Sequence, residues 1–287
     1  MNIKAIIRKV FKARDTESFK DTLDRHKTSI EKLIYKKKYS LAELSGSIKE
    51  CGLSSGDTVM VHASWRKFYN LEGNPEDVIN VIESIVGEEG TIIMPCYGHD
   101  RSFLDIKKTP SAAGVISETF RKMDGVRRSS CTHFSMAAKG TNAEYLICDH
   151  DRSIYGFDTY SPCYKLTTLP NSKILFLGLG STPTKISIFH CAGGKLMTTD
   201  EKMRTLISKQ YFARLIDENN IEHEKEMVIR QPGHGNNEKV FKKIFRSLRQ
   251  KNSSRLCNLD IVVIDAKEAY EAALSFAEKG IYCYKNV

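Results

Sequence analysis

Four short apolar runs constrain this chain more than any other feature: Thr58–Val61, Thr91–Tyr97, Ile174–Leu179 and Leu259–Ile264. Each is bounded by turn residues and apolar at successive positions, the pattern of a strand buried on both faces. Helical stretches lie between and after them, at Pro75–Val86, Ala112–Met123 and 266–279, the last stopped by Gly280. Strands alternating with helices imply a layered α/β domain. Weaker signals place a strand at Phe134–Ala138, a short one at Met227–Arg230, and a helix at Leu41–Cys51 leading into a turn at Gly52–Gly56. Residues 233–256, rich in Asn, Lys, Arg and Ser, read as an exposed helix with mobile ends. No internal repeat interrupts the pattern.

Charge separates two parts of the chain. Residues 1–40 hold twelve Lys/Arg and five Asp/Glu, so they carry +7 of the total +9. A nucleic-acid binder would spread basic residues and aromatics over its folded body; this body is nearly neutral, and no nucleic-acid partner is expected. The excess belongs to a basic helical extension, 1–39, ahead of the domain at 40–287. In it, Ile3, Ile6, Ile7, Val10 and Phe11 form an apolar stripe flanked by Lys and Arg. Two readings stand side by side: an interfacial helix on an anionic membrane, or a face packed on the body or on a second subunit of a homo-oligomer. A second helical stretch follows at roughly 17–35. The start lacks the long apolar segment of a secretory signal, and no run approaches the roughly 20 apolar residues of a membrane span; a cytosolic protein is expected. Eight cysteines occur with no Cys-x-x-Cys, which points to reduced core thiols. Sparse His and carboxylate spacing offers no metal site.

Six ordered blocks carry the chemistry. They are Gly56-Asp57-Thr58-Val59-Met60-Val61-His62-Ala63-Ser64, Gly90-Thr91-Ile92-Ile93-Met94-Pro95, Thr109 to Arg121, Arg127 to Gly140, Ser161-Pro162-Cys163-Tyr164-Lys165-Leu166, and Ile174 to Gly180 with Phe189-His190-Cys191-Ala192. In order and spacing they resemble the aminoglycoside N3-acetyltransferase family, the antibiotic NAT type and not the GNAT fold, over about residues 40–280. The resemblance implies a three-layer α/β/α sandwich with a mixed sheet, acetyl-CoA or another acyl-CoA as donor, and an amine acceptor.

Two departures fall where the family keeps its catalytic pair. Its His-Pro aligns with Cys131-Thr132, and the glutamate of its His-x-Ala-Glu aligns with Gly193. A protonated amine cannot attack a thioester, so a base must take its proton, and histidine suits that near neutral pH. His133 and His190 are the candidates, with His133 placed first because it lies in the loop where the family puts its base. Asp158, Asp200 or Glu201 would replace the missing carboxylate. Cys131 offers a covalent alternative, in which its thiolate takes the acyl group first. Ser64, Arg127, Arg128 and Ser130 are expected on the cofactor, since phosphates reward arginine. Tyr97, His99, Asp100 and Asp158 are expected around the acceptor. His62 reads as a strand-end histidine with its hydrogen bonds satisfied.

These residues predict an acyl-CoA-dependent N-acyltransferase acting on an amino sugar, with a nucleotide-linked or glycan-assembly intermediate expected in preference to an antibiotic. Three rivals remain open: an inactive relative that binds a ligand or partner, an aminoglycoside-modifying acetyltransferase, and a transferase that takes its acyl group from an acidic carrier protein.

Overall fold

The structure, a computed structural model, describes residues 19–197 and 199–287. The apolar stripe at Ile3–Phe11 lies outside the described residues. Along the chain run α1 (Phe19–Ile34), α2 (Leu41–Glu50), β1 (Thr58–Ala63), α3 (Pro75–Val86), β2 (Thr91–Pro95), β3 (Phe103–Asp105), α4 (Val115–Arg121), β4 (Arg127–Arg128) and β5 (Met136–Gly140). They are followed by α5 (Ala143–Ile147), α6 (Pro162–Leu166), β6 (Ser172–Leu177), α7 (Phe189–Leu196), α8 (Glu201–Arg204) and β7 (Ile207–Ile216). The chain ends with β8 (Glu222–Arg230), α9 (Glu238–Ser247), β9 (Lys251–Leu256), β10 (Leu259–Asp265) and α10 (Ala266–Glu278). No helix among the described residues is long and apolar enough to cross a membrane.

Seven strands form one mixed sheet in the order β4-β5-β2-β1-β6-β10-β9. The central β2, β1 and β6 are parallel, and antiparallel strands flank them on both sides. Alternation within each strand builds two cores. Val59, Val61, Ile92, Met94, Leu175 and Leu177 face a layer containing α2, α3 and α4, whereas Met60, Ile93, Ile174 and Phe176 face a layer containing α7, α9 and α10. The result is a three-layer α/β/α sandwich. Helix starts are fixed by side chains. Ser40 and Glu43 form a capping box on α2, Asn74 caps α3 ahead of Pro75, and Asp265 caps α10. Deleting a buried side chain such as Phe176 would cost about 3–5 kcal/mol, because each core is closed on both sides.

Part of the basic extension packs against the domain. Lys67 Nζ donates to Thr28 Oγ1 at 3.2 Å and meets the Glu31 carboxylate at 2.5 Å, and Asn70 donates to the Tyr35 carbonyl at 2.8 Å.

Two regions differ from the sequence expectation. The exposed helix expected over 233–256 is α9, which buries Phe241, Ile244 and Phe245, followed by an edge strand, β9, on β10. The short strand at Met227–Arg230 is the end of the long β8, which pairs with β7 in a second sheet of order β3-β7-β8. Glu222, His223 and Glu224 are exposed there, so no apolar alternation announces the strand. The helix expected from Ala112 starts only at Val115. Gly114, at φ +122°, turns the chain, and the Ala112 N–H bonds the Tyr97 carbonyl instead.

Candidate active site

The chain leaves β1 to one side for β2 and returns on the other for β6, so β1 marks a topological switch point. Ligands of open α/β sheets bind at the carboxyl ends of strands at such a point. A cavity of about 630 Å³ opens there. Ser64, Trp65 and Arg66 enter it after β1, Pro95 at the end of β2 with Tyr97 beyond it, and Leu179 after β6. The Ala112–Val115 turn, Phe134, Lys185, Ser187, His190 and Asn236 complete much of its wall. A second cavity of about 300 Å³ shares Ser64, Arg66, Leu179 and Lys185 with the first and adds Lys27, Thr28, Lys67 and Arg255. The shared residues make the two cavities halves of one trench, basic at one end and aromatic at the other. Gly178, at φ +71°, lets β6 turn against Lys67 at the basic end; a Cβ there would lie 2.6 Å from Lys67 Cβ.

Several residues expected on ligands instead brace the trench. Arg128 is buried and donates to the Thr109 carbonyl at 2.6 Å, to the Ile106 carbonyl at 3.4 Å, to Ser135 Oγ at 3.2 Å and to the Cys96 carbonyl. Its guanidinium is spent on backbone, and it is not among the lining residues. Glu118 accepts from the Ser111 N–H at 2.7 Å and from Arg121 at 2.9 and 2.7 Å, and Arg121 reaches the Lys107 carbonyl at 2.6 Å. The Arg121 hydrogen bonds hold the Glu118 carboxyl down at about 2. Together these struts hold the 105–114 loop, whose tip forms one cavity wall. Arg127 is exposed and pairs with Glu144 and Glu218. Ser130 is partly buried and outside the lining, so of the four expected cofactor residues only Ser64 faces the trench.

The histidines sort differently from the sequence order. His190 lines the cavity, with Nδ1 2.8 Å from the Tyr284 hydroxyl, and burial pushes its pKa down to about 3. His133 is buried outside the lining, its Nδ1 without a hydrogen-bond partner, and burial lowers it to about 4. Residue 133 points to the interior because Gly156 and Tyr155 pack against its ring. His62 is not satisfied. Its Nε2 is buried without a partner, and its ring lines the cavity while stacking on Phe176. A buried nitrogen is thus left unpaired beside the cavity where a satisfied strand-end residue was expected.

Cys131 is fully buried against Ala213 and Met227, and burial pushes its thiol up to about 11, which rules against a thiolate nucleophile. Among the acceptor residues, Tyr97 lines the cavity, stacked on Phe134 at 4.9 Å. His99 is exposed outside the lining. Asp100 ties Ser102 in a loop, and Asp158 accepts from Ser153 Oγ, the Ile154 N–H and the Tyr160 N–H. Asp200 caps α8 and accepts from the Tyr282 hydroxyl at 2.6 Å, while Glu201 is exposed. None of these carboxylates partners His190. At Gly193 an added Cβ would lie 2.9 Å from Tyr284 Cε2 and 3.1 Å from its hydroxyl. The space beside the histidine is therefore filled by Tyr284. Sequence reasoning missed Arg66, Lys185 and Tyr284. Only Arg66 carried a signal, by following the Ser64 block directly. Among the described residues no group of three or more His, Cys, Asp or Glu is placed to hold a metal ion.

Comparison with known proteins agrees with the fold and places the chain among its relatives. Aminoglycoside N(3)-acetyltransferase IV of Salmonella is 32% identical over 142 residues, 48% of this chain and 53% of that protein. The aminoglycoside N(3')-acetyltransferase-like protein YokD of Bacillus subtilis is 29% identical over 160 residues, 47% of this chain and 58% of its own. The chain thus spans about half the length of the curated relatives it matches. Among solved structures, the aminoglycoside acetyltransferase AAC(3)-Xa superposes with a TM-score of 0.75 at 19% identity, covering 90% of this chain and 99% of that one. The AAC-IIIb binary complex with CoASH gives 0.72 at 22% identity, covering 85% and 98%. At these identities the superpositions speak for the fold. The model of the aminoglycoside 3-N-acetyltransferase family matches residues 60–278, and this chain belongs to that family.

Proposed function

We propose that this protein transfers an acetyl group from acetyl-CoA to an amine of an amino sugar. The carrying observation is the shared seam of Ser64, Arg66 and Lys185, which joins a basic groove to a cavity lined by His190. The basic end, where Lys27, Lys67 and Arg255 outnumber the Glu31 and Asp260 carboxylates that they pair with, suits the donor's phosphates together with Arg66 and Lys185 at the seam. The donor's thioester then reaches into the larger cavity past Ser64. The aromatic end, with Tyr97 stacked on Phe134, offers flat apolar faces to a sugar ring.

The acceptor's ammonium group first loses one proton to solvent. As the free amine then attacks the thioester carbonyl its N–H becomes acidic, and His190, neutral at pH 7, takes that second proton. The N–C bond forms, the C–S bond breaks, and the proton passes from His190 to the departing thiolate. Hydroxyls of Ser64, Ser117 and Ser187 line the cavity as donors for the oxyanion. Arg66 and Lys185 repel a polycation at the seam, which favours an amino sugar with a single reacting amine, including one linked to a nucleotide. Release of free thiol from acetyl-CoA, measured across monoamino sugars, nucleotide-linked amino sugars and aminoglycosides, tests the proposal. Turnover highest with a monoamino acceptor supports it, and no thiol release with any of these amines overturns it.

A further inference from the structure

His190 rests on a chain of hydroxyl groups. Its Nδ1 lies 2.8 Å from Tyr284 Oη, which lies 3.1 Å from Tyr155 Oη. The imidazole and the Tyr284 ring lie near-parallel, with 22° between planes and 5.5 Å between centroids. Phe157 and Phe241 hold the imidazole from other directions, at 4.9 and 5.6 Å. Tyr284 is held just as firmly. Its segment pairs with Asn236, whose neighbour Asn237 donates its N–H to the Cys283 carbonyl at 2.8 Å. Lys285 donates its N–H to the Gly235 carbonyl at 2.9 Å, and the Arg230 guanidinium sits 4.8 Å from the Tyr284 ring centroid. Gly193 leaves the room that the Tyr284 ring occupies.

From this geometry we propose that Tyr284, backed by Tyr155, is the positioning residue that sets the tautomer of His190 and so makes it the base. The inference rests on the acetyl-transfer reading above. His190 donates its Nδ1 proton to Tyr284 Oη, and Tyr284 donates its own to Tyr155 Oη. That direction of donation leaves the Nε2 lone pair for the amine. The reverse direction would place a proton on Nε2 and turn the ring into a donor. A phenol buried as Tyr284 is stays protonated, because burial pushes its pKa well above the ordinary value. It can therefore accept from Nδ1 and donate onward at once, whereas a carboxylate only accepts. The charged and titratable groups that act on His190 are Arg230 and His133, and both oppose its protonation. A hydroxyl dipole oriented toward Nδ1–H offsets them when the imidazolium forms.

The test is nitrogen-15 NMR of the full chain labelled in histidine, with His190 assigned by its loss in His190→Ala, alongside acetyl-transfer kinetics. In the wild type at pH 7 we expect the Nδ1–H tautomer. Tyr284→Phe should shift His190 toward Nε2–H and lower kcat on the order of tenfold or more, a part of what a base contributes, with KM for acetyl-CoA little changed. Tyr155→Phe, which keeps the direct partner of Nδ1, should give a smaller shift in the same direction and serves if Tyr284→Phe does not fold. An Nε2–H tautomer in the wild type, or a tautomer unmoved in both variants, overturns the proposal. Failure of the acetyl-transfer reading is distinct: the wild type would then release no thiol from acetyl-CoA with any amine, whatever the NMR of the tyrosine variants shows.

Discussion

The imidazole of His62 lies flat on the Phe176 ring, with centroids 5.4 Å apart and 10° between planes, and its Nε2 is buried with no partner. An unpaired buried nitrogen costs about 1–3 kcal/mol, and this one lies at the carboxyl end of β1 against the cavity. We expect a bound donor to supply the missing partner. His62→Phe keeps the stack and removes the orphan nitrogen. The variant should melt no lower than the wild type, yet bind acetyl-CoA about 5- to 100-fold more weakly by calorimetry, the equivalent of roughly 1–3 kcal/mol. Unchanged affinity would show that the nitrogen serves no ligand.

Lys185 and Arg128 should exchange the roles that residue type alone suggests. Lys185 lines both halves of the trench, whereas Arg128 donates to three carbonyls and a hydroxyl inside the fold. Lys185→Ala should weaken CoA about 3- to 30-fold, roughly 0.6–2 kcal/mol, with little change in melting temperature and a smaller dependence of affinity on salt. Arg128→Ala should lower stability by about 3 kcal/mol or more, since several buried acceptors lose a charged donor at once. Titration of CoA beside urea denaturation of both variants checks the pair. A stable Arg128→Ala protein with lost CoA binding would restore the sequence expectation.

Acid should destabilise this protein well above the usual carboxylate range. Burial lowers the pKa of His62 and His133 to about 4 and of His150 and His190 to about 3. Unfolded histidines titrate near 6.5. Above that pH neither state binds these protons, so no stability is lost. As pH falls below 6.5 the unfolded chain gains protons that the folded chain refuses, down to the folded values. Each histidine then removes up to about 1.4 kcal/mol per pH unit. Glu118 acts in a separate, lower window, because its stabilising contribution is present above 4.5 and lost as pH falls toward about 2. Urea denaturation at pH 7, 6 and 5 should show a steep fall, and His150→Asn should reduce its slope by about one proton. A flat profile between pH 7 and 5 would contradict the buried neutral histidines.

The parallel core of the fold was legible because buried strands must be apolar on both faces. Thr58–Val61 and Leu259–Ile264 announce themselves for that reason. Of the hairpin of β7 and β8 only the Met227–Arg230 end was legible, since Glu222, His223 and Glu224 meet solvent and satisfy no periodic rule. Around the cavity, the motif blocks supply many of the lining loops, while several of their side chains brace those loops instead of facing the space. Ser161 and Asp57 show why. Ser161 caps α6, and Asp57 accepts from Ser54 and pairs with Lys173 at 2.7 Å, so these motif residues hold the loops in place. Lys185, which lines the trench, and Tyr284, which backs His190 from far along the chain, have no local pattern to mark them. The role of Tyr284 exists only once the C-terminal segment lies against residues 235–237.

The ranking of the two candidate bases follows from which ring reaches the cavity. His190 lines it, and His133 is buried outside the lining with Tyr155 and Gly156 against it. His190→Ala should therefore lower kcat by about 100- to 10,000-fold, roughly 3–5 kcal/mol of transition-state stabilisation, while acetyl-CoA still binds. His133→Ala should cost turnover far less, acting through the packing of Tyr155 and the hydroxyl chain behind His190. The pH profile separates this reading from one with an ordinary histidine. A base with an unshifted pKa would give a rate that falls below pH 6.5. With His190 held down to about 3 by burial, kcat/KM should show no base-controlled loss between pH 7.5 and 5 beyond what the titrating acceptor amine imposes. An acceptor of known amine pKa lets that contribution be subtracted. A residual acid limb centred near 6.5 that survives in His190→Ala would place the base elsewhere.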